Sequence, residues 1–265
     1  MHPLLEHFKN FAERRGISDS AFIVGGAVRD ILLGNETKDI DIAIKGDSLN
    51  IAKDFAKDRR GSFVLLDADF QTARVVKNGY FLDISAMRGN SIHDDLSERD
   101  ITINAMAIPL SEVKSQESEV RSRTIDPFNG KNDLADKIIR MVSEENLIKD
   151  PLRILRIYRF AAALNFSIED DTLSAAERLA PLISSVAVER IAEELRYIVR
   201  LDNSYKTMKA LLDNKILANI FPELKEDFRF QGLELYKNVE DILNNPLISC
   251  FPLPTFHFPF LKRYA

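Results

Sequence analysis

Two aspartates separated by one residue, Asp39 and Asp41 in KDIDIAI, are the residues of this 265-residue chain whose types and spacing most directly suggest chemistry. In an extended strand alternate side chains share a face, so the two carboxylates project together while Ile40 and Ile42 face the other way. Adjacent anions are costly unless a cation shares them. Magnesium does so naturally, because it prefers carboxylate oxygens and keeps its other octahedral positions for water or phosphate oxygens. Asp83, in YFLDIS after the Asn78-Gly79 hairpin turn, is a third candidate, since a neighbouring strand would bring it beside the pair. Such a set suits a two-metal phosphoryl-transfer centre. Taken alone, the pair also reads as solvated carboxylates on a surface strand.

The preceding residues shift that balance. A β run ending in Gly25-Gly26 lets a ligand approach the backbone, and the helix that follows offers free N–H groups to a phosphate, with Arg29 as a counterion. The glycine pattern is neither a P-loop nor a dinucleotide fingerprint. A packing turn, with Asp30 as the salt-bridge partner of Arg29, is the plain alternative. In DDLSERD, Arg99 is placed to neutralise a phosphate while Asp100 orients Arg99 or a ribose; an internal ion pair explains the same residues. In KDPLRILRIYRF, Asp150 is a good N-cap and Pro151 fits the first helical position. Arg153, Arg156 and Arg159 then recur every three residues as a basic stripe, beside Ile154, Leu155, Ile157 and Ala161 on the apolar side. An ordinary amphipathic helix would look the same.

The elements that must position these groups follow from periodicity. Leu4, Leu5, Phe8, Phe11 and Ala12 have helical spacing. AFIV, IDIAI, SFVLL, ARVV and YFLDIS read as strands, with GAVRDILLG and SLNIAKDFAKDRR as helices between them. TINAMAIPL and TIDPF predict a further strand pair. From about Leu134 the pattern is helical almost throughout, with helices expected at 151–164, 172–179, 187–200 and 204–213. The last fifteen residues, FPLPTFHFPFLKRYA, follow neither pattern and read as a packing arm or the stub of a longer architecture. The lone Cys250 excludes an intrachain disulfide, no Cys/His cluster has zinc spacing, and no apolar run reaches membrane-spanning length. A cytoplasmic location is therefore expected, with no membrane partner. The net charge of −5 does not advertise a polyanion partner.

Taken in order, FIVGGAVRDILLG with KDIDIAI, FLDIS, DDLSERDITINAMA, TIDPFNGKNDL and KDPLRILRIYRFAAALNF followed by ERIAEEL span residues 21–200. In these motifs the chain resembles the class II tRNA nucleotidyltransferase and bacterial poly(A) polymerase family, within the polymerase-beta-like nucleotidyltransferase superfamily. The resemblance implies an α+β protein: a mixed-sheet head over 1–145, a helical neck with a nucleotide-recognition helix over 146–210, and a short or truncated body over 211–265. A compact enzyme or one piece of a larger assembly is expected.

Carried over by position, Gly26 and Arg29 would contact nucleotide phosphates, with Gly25 beside them, and Asp39 and Asp41 would hold Mg2+. Asp83 would be the additional catalytic carboxylate. Arg99 with Asp100 would meet the nucleotide, and Asn104 would support the ribose. Asp150 and Arg153 would read the base edge, with Arg156 and Arg159 also at the nucleotide. The TIDPF-Asn129-Gly130 segment would join head to neck, while Glu189 and Arg190 would hold the neck together. Relatives carry Arg-Arg-Asp where this chain has Glu98-Arg99-Asp100, and Glu-Asp-x-x-Arg where it has Lys149-Asp150-x-x-Arg153. A changed CTP versus ATP selectivity is the expected place for these departures to show.

The implied reaction is template-independent transfer of CMP and AMP from CTP and ATP to a tRNA 3′ end. Poly(A) synthesis, CC-only or A-only addition to RNA, and a noncatalytic RNA-binding module stay open. So does a homo-oligomer or a partner that supplies the contacts of a larger body.

Overall fold

The computed structural model describes residues 3–35, 39–113, 123–202 and 204–221, together with Glu234 and Lys237. The expected Pro/Phe-rich tail and most of the 211–265 body lie outside the described residues, as does the centre of the polar segment after TINAMAIPL.

Helix α1 (Pro3–Arg15) buries the apolar positions its spacing predicts. Then come β1 (Ala21–Val24), α2 (Gly26–Leu32), β2 (Asp39–Ile44), α3 (Ser48–Arg59), β3 (Ser62–Asp67), β4 (Thr72–Lys77), β5 (Tyr80–Ala86), α4 (Ile92–Ser97) and β6 (Ala107–Pro109). The strands form one six-stranded mixed sheet in the order β3-β4-β5-β2-β1-β6. β2 and β5 run parallel, and the other neighbouring pairs run antiparallel.

Alternation along β2 divides the sheet into an apolar and a chemical face. Ile40, Ile42 and Ile44 are buried with Ile23, Leu82 and Ile84 in the main core, which also takes in α1 and α3. Phe8 there meets Phe55 edge to face, with ring centroids 5.0 Å apart. On the other face Val24, Ala43 and Ala107 pack with Ile92 and Leu96 of α4 in a smaller core. The small side chains leave room for a cleft beside it.

The predicted strand over TINAMAIPL is cut short: Thr102–Asn104 is a turn of 3-10 helix and only Ala107–Pro109 is strand. Side-chain bonds outweigh β alternation here. The Thr102 hydroxyl donates to Asp133 at 2.7 Å, and the Asn104 amide bonds Arg29 and Asp100. TIDPF contributes an isolated bridge, Ile125 to Ala107. Asp126 accepts hydrogen bonds from Gly130 N and Lys131 N at 2.7 and 2.9 Å, at the start of α5 (Gly130–Asp136). A Cβ on Gly130 would lie 2.3 Å from the Thr102 carbonyl oxygen, so this residue is required by close packing.

After α5 come β7 (Ile138–Ile139), α6 (Glu144–Lys149), α7 (Leu152–Leu164), β8 (Ser167–Ile168), α8 (Asp170–Leu179), α9 (Val188–Val199), α10 (Ser204–Asp213) and α11 (Ile216–Ile220). The parallel pair β7–β8 joins the end of the expected head to the expected neck in a short ladder. Arg140 clamps it by pairing with both Asp133 and Glu169. Among the described residues no helix is long and apolar enough to cross a membrane.

Candidate active-site cleft

Register brings the acidic residues together. Arg74 on β4 pairs with Asp83 on β5, Asp83 with Asp41 on β2, and Asp41 with Val24 at the end of β1. Residues on one register line share a face of the sheet, and Asp39 shares the face of Asp41. Asp83 is already gripped: Arg74 Nε and Nη2 donate to its two oxygens at 2.7 and 2.8 Å. Asp41 lacks a comparable partner among the described residues. Burial, with Asp83 next, pushes its carboxyl up to about 6 against the opposing pull of Arg99. This is the behaviour of a carboxylate short of counter-charge.

Oxygen donors from Asp39 and Asp41 suit a hard divalent cation that keeps part of its sphere for water or phosphate, so the residues present fit magnesium. Among the described residues no group of three or more His, Cys, Asp or Glu side chains forms a closed metal cage.

The glycine turn borders this centre. Gly25 has φ +72°, and a Cβ there would sit 2.8 Å from Arg99 Nη1 and 3.4 Å from Asp41 Oδ2. Its conformation therefore strains any side chain, and one placed there would also have to displace the Arg99 guanidinium. Arg99 is aimed by buried Asp95, which accepts from its Nε and Nη2 at 3.2 and 2.9 Å. The sequence assigns that orienting role to Asp100, but Asp100 reaches across to the neck instead. Arg156 Nε and Nη2 converge on Asp100 Oδ2 at 2.8 and 2.6 Å. Burial alone would raise the Asp100 carboxyl; the Arg156 charge and hydrogen bonds overcome it and hold the group at about 2.

Arg29 does not line the cavity and lies against Gly26, its Nη2 3.3 Å from where a Cβ on that residue would sit. Its Nε and Nη2 bond Asp30 at 2.9 and 3.1 Å, and its Nη1 donates to Asn104 Oδ1 at 2.9 Å. Its guanidinium also lies near Phe160, which draws in Arg156 and Arg159 as well. The Arg29–Asp30 pair thus matches the plain reading of that motif.

The Asp150 carboxylate is not a helix cap. Pro151 adopts helical φ and ψ and precedes α7, whereas both Asp150 oxygens accept from Arg190, at 3.2 and 2.9 Å. The bidentate pull of a guanidinium outweighs the cap. The arginine stripe is equally divided. Arg156 serves Asp100, Arg159 donates to Glu194 at 2.6 Å, and Arg153 has a buried Nη1 with no hydrogen-bond partner. Lys149 Nζ stands 2.8 and 3.0 Å from the two Glu98 oxygens. The two departures from the family motifs are therefore ion-pair partners.

These parts enclose a cavity of about 350 Å³ whose walls include Asp41, Asp83, Arg99, Asp100, Asp150, Arg153 and Arg156. Asp39 stands two residues along β2 from Asp41, and Gly25, just after β1, lies against the Asp41 and Arg99 side chains of the wall. Arg29, Asn104 and Arg159 are not among the residues that line the cavity, Arg29 and Asn104 being bonded to each other and Arg159 to Glu194. Arg74, Asp95 and Arg190 are site residues that sequence reasoning left unassigned or assigned to packing. The spacing of Asp95 and Arg99, four apart on a helical turn, is a readable signal for one of them; the others pair across register or between distant helices.

Residues 21–140 match the family described as Poly A polymerase head domain, and residues 165–228 match the probable RNA and SrmB-binding site of polymerase A. The chain is 37% identical over 203 residues to the CC-adding tRNA nucleotidyltransferase of Synechocystis sp., covering 76% of this chain and 47% of that protein. It is 31% identical over 259 residues to the CCA-adding enzyme of Streptococcus mutans, covering 83% of this chain and 61% of the relative. A tRNA nucleotidyltransferase solved with a primer tRNA and an incoming ATP analog superposes with a TM-score of 0.76 at 29% identity, over 89% of this chain and 68% of the other. The chain spans about half the length of the curated relatives it matches.

Proposed function

The chain belongs to the tRNA nucleotidyltransferase and poly(A) polymerase family, and from that membership we propose that it transfers CMP and AMP from CTP and ATP, without a template, to the 3′ end of tRNA. The observation that carries this reading is the shared cavity: the carboxylate row of the head and the Asp150–Arg153 wall of the neck line one space.

Nucleotidyltransferases of this family generally use a divalent metal; here Asp39 and Asp41 are the proposed holders of Mg2+. When bound, magnesium supplies charge neutralisation for the triphosphate and eases ionisation of the attacking 3′-hydroxyl. The side-chain-free turn at Gly25-Gly26 admits the triphosphate, and Arg99, fixed by Asp95, meets its charge. Arg74 holds Asp83 in the row. In the transfer, the primer 3′ oxygen bonds the α-phosphorus as the bond to pyrophosphate breaks.

Asp150 supplies acceptors and Arg153 donors to the base edge, so side chains choose the nucleotide. The unpartnered Arg153 Nη1 supports this role, because a buried donor without a partner is costly until a ligand satisfies it. Asp100 and Arg156 pair with each other on the cavity wall, and Asn104, Arg29 and Arg159 support these groups from outside it. The proposed division is head over 1–145, neck over 146–210 and body beyond, in the cytoplasm.

The test offers tRNAs ending before CCA, after C and after CC, with CTP and ATP separately and together. Extension to CCA is expected; RNA binding without extension or pyrophosphate release overturns the reading. A second reading, CC-only addition, is favoured by the Synechocystis relative's description, and in this assay it stops after the second C.

A further inference from the structure

Phe70 is an aromatic side chain on the wall of the cleft, and it is 58% exposed. It belongs to neither hydrophobic core. The turn between β3 and β4 nevertheless fixes its backbone. Phe70 N donates to Asp67 Oδ1 at 2.9 Å, the Thr72 hydroxyl donates to Phe70 O at 3.3 Å, and Gln71 takes a left-handed conformation with φ 46°. The Arg88 guanidinium carbon lies 5.2 Å from the ring centroid. Arg88 is itself tied down, through its N–H to Asp95 Oδ1 at 3.1 Å and through Nη1 to the Glu98 carbonyl at 3.4 Å. An apolar ring on a hydrogen-bonded turn is thus left exposed, with a cation beside it, on the wall of the cavity that contains Asp41.

We propose that Phe70, backed by Arg88, is the stacking platform for the 3′-terminal base of the acceptor RNA; this rests on the transferase reading above. The two sides of the cavity offer different chemistry. The neck presents acceptors and donors, at Asp150 and Arg153, which suit the edge of a base that must be chosen. Phe70 presents a face without edge-reading groups, and aromatic stacking accepts any base because each has a π-face. An RNA end extended one nucleotide at a time needs that tolerance, since its last base changes after each transfer. Arg88 adds a cation–π contact to the ring and positive charge beside the RNA backbone.

The test uses the full chain and an RNA minihelix whose 3′-terminal residue is 2-aminopurine, a base whose fluorescence falls on stacking. It is titrated without nucleotide into wild-type protein, Phe70→Leu and Phe70→Trp. Wild type and Phe70→Trp are expected to quench the probe, whereas Phe70→Leu leaves it bright and weakens RNA binding roughly tenfold or more. In transfer assays, Phe70→Leu should raise KM for RNA while leaving KM for CTP unchanged. Undiminished quenching by Phe70→Leu, no quenching by wild type, or a rise confined to the CTP KM overturns the platform. Wild-type CMP incorporation, measured alongside, tests the transferase reading separately: incorporation with unchanged Phe70→Leu quenching sinks the platform alone.

Discussion

Asp41 and Asp100 line one cavity, yet their carboxyls are displaced in opposite directions, up to about 6 and down to about 2. Both are removed from water. The difference lies in the company each keeps. Asp41 shares its face with Asp83 and Asp39, and the nearest strong cation of the row, Arg74, is committed to Asp83. Asp100 has both Nε and Nη2 of Arg156 on one oxygen, with Ile101 N and the Asn104 amide on the other, and only a longer contact from Arg156 to Glu194 at 3.8 Å competes. The Asp41 side of the cavity is therefore built with a deficit of positive charge that a ligand can fill, while Asp100 arrives already neutralised by Arg156.

Four experiments can break or sharpen this contrast. Asp41→Asn should cost transfer on the order of a thousandfold or more. It should also raise the thermal midpoint without added metal, by about 1 kcal/mol of stability, because a crowded buried charge is gone. Loss of activity together with a large loss of stability would break the contrast.

Asp100→Ala should do the reverse to the fold. Breaking a buried ion pair costs about 3 kcal/mol here, the low end of the usual range because the Arg156 side chain is 34% exposed. Urea unfolding monitored by circular dichroism checks it.

The pH dependence of stability gives a third, smaller effect. The folded Asp100 carboxyl lies below its ordinary value of 3.8, so its contribution is complete above that value and is lost as pH falls through about 2. Wild type should lose about 2 kcal/mol of stability across that window relative to Asp100→Asn. Parallel acid-unfolding curves for the two proteins would refute the assignment.

The smallest effect is at Glu98 and Lys149. Their pair is solvent-exposed and contributes less than about 1 kcal/mol. Glu98→Lys or Lys149→Glu alone should raise nucleotide KM a few-fold, and the double exchange should recover it with the C/A incorporation ratio unchanged throughout. A shift of that ratio in Lys149→Glu that the double exchange does not reverse would make Lys149 a base reader rather than a strut.

Much of this arrangement was legible in the chain. Period-two alternation placed Asp39 and Asp41 on one face and Ile40 and Ile42 on the other, and Asn78-Gly79 returned the strand that carries Asp83. The expected helices at 151–164 and 204–213 are observed at Leu152–Leu164 and Ser204–Asp213. What stayed hidden was pairing. Arg74 looks like any polar residue on an alternating strand until register sets it opposite Asp83. Asp100 is adjacent to Arg99 in sequence, yet a helix more than fifty residues away supplies its cation. Asp150 has the composition of a cap, but its partner was decided by how α7 packs on α9. Likewise Thr102–Asn104 has the residue types of a strand, and only tertiary bonds to Asp133, Arg29 and Asp100 turn it into a 3-10 segment.

The contact between Gly130 and Thr102 has a mechanical meaning. Backbone meets backbone there with no side chain to yield, so it acts as an end stop. The segment from Asp100 to Asn104 cannot be pressed further toward α5, and Thr102–Asp133 fastens it at that limit. A methyl group at residue 130 would be a shim, displacing the Arg156–Asp100 joint of the cavity wall from a position that is not itself on the wall.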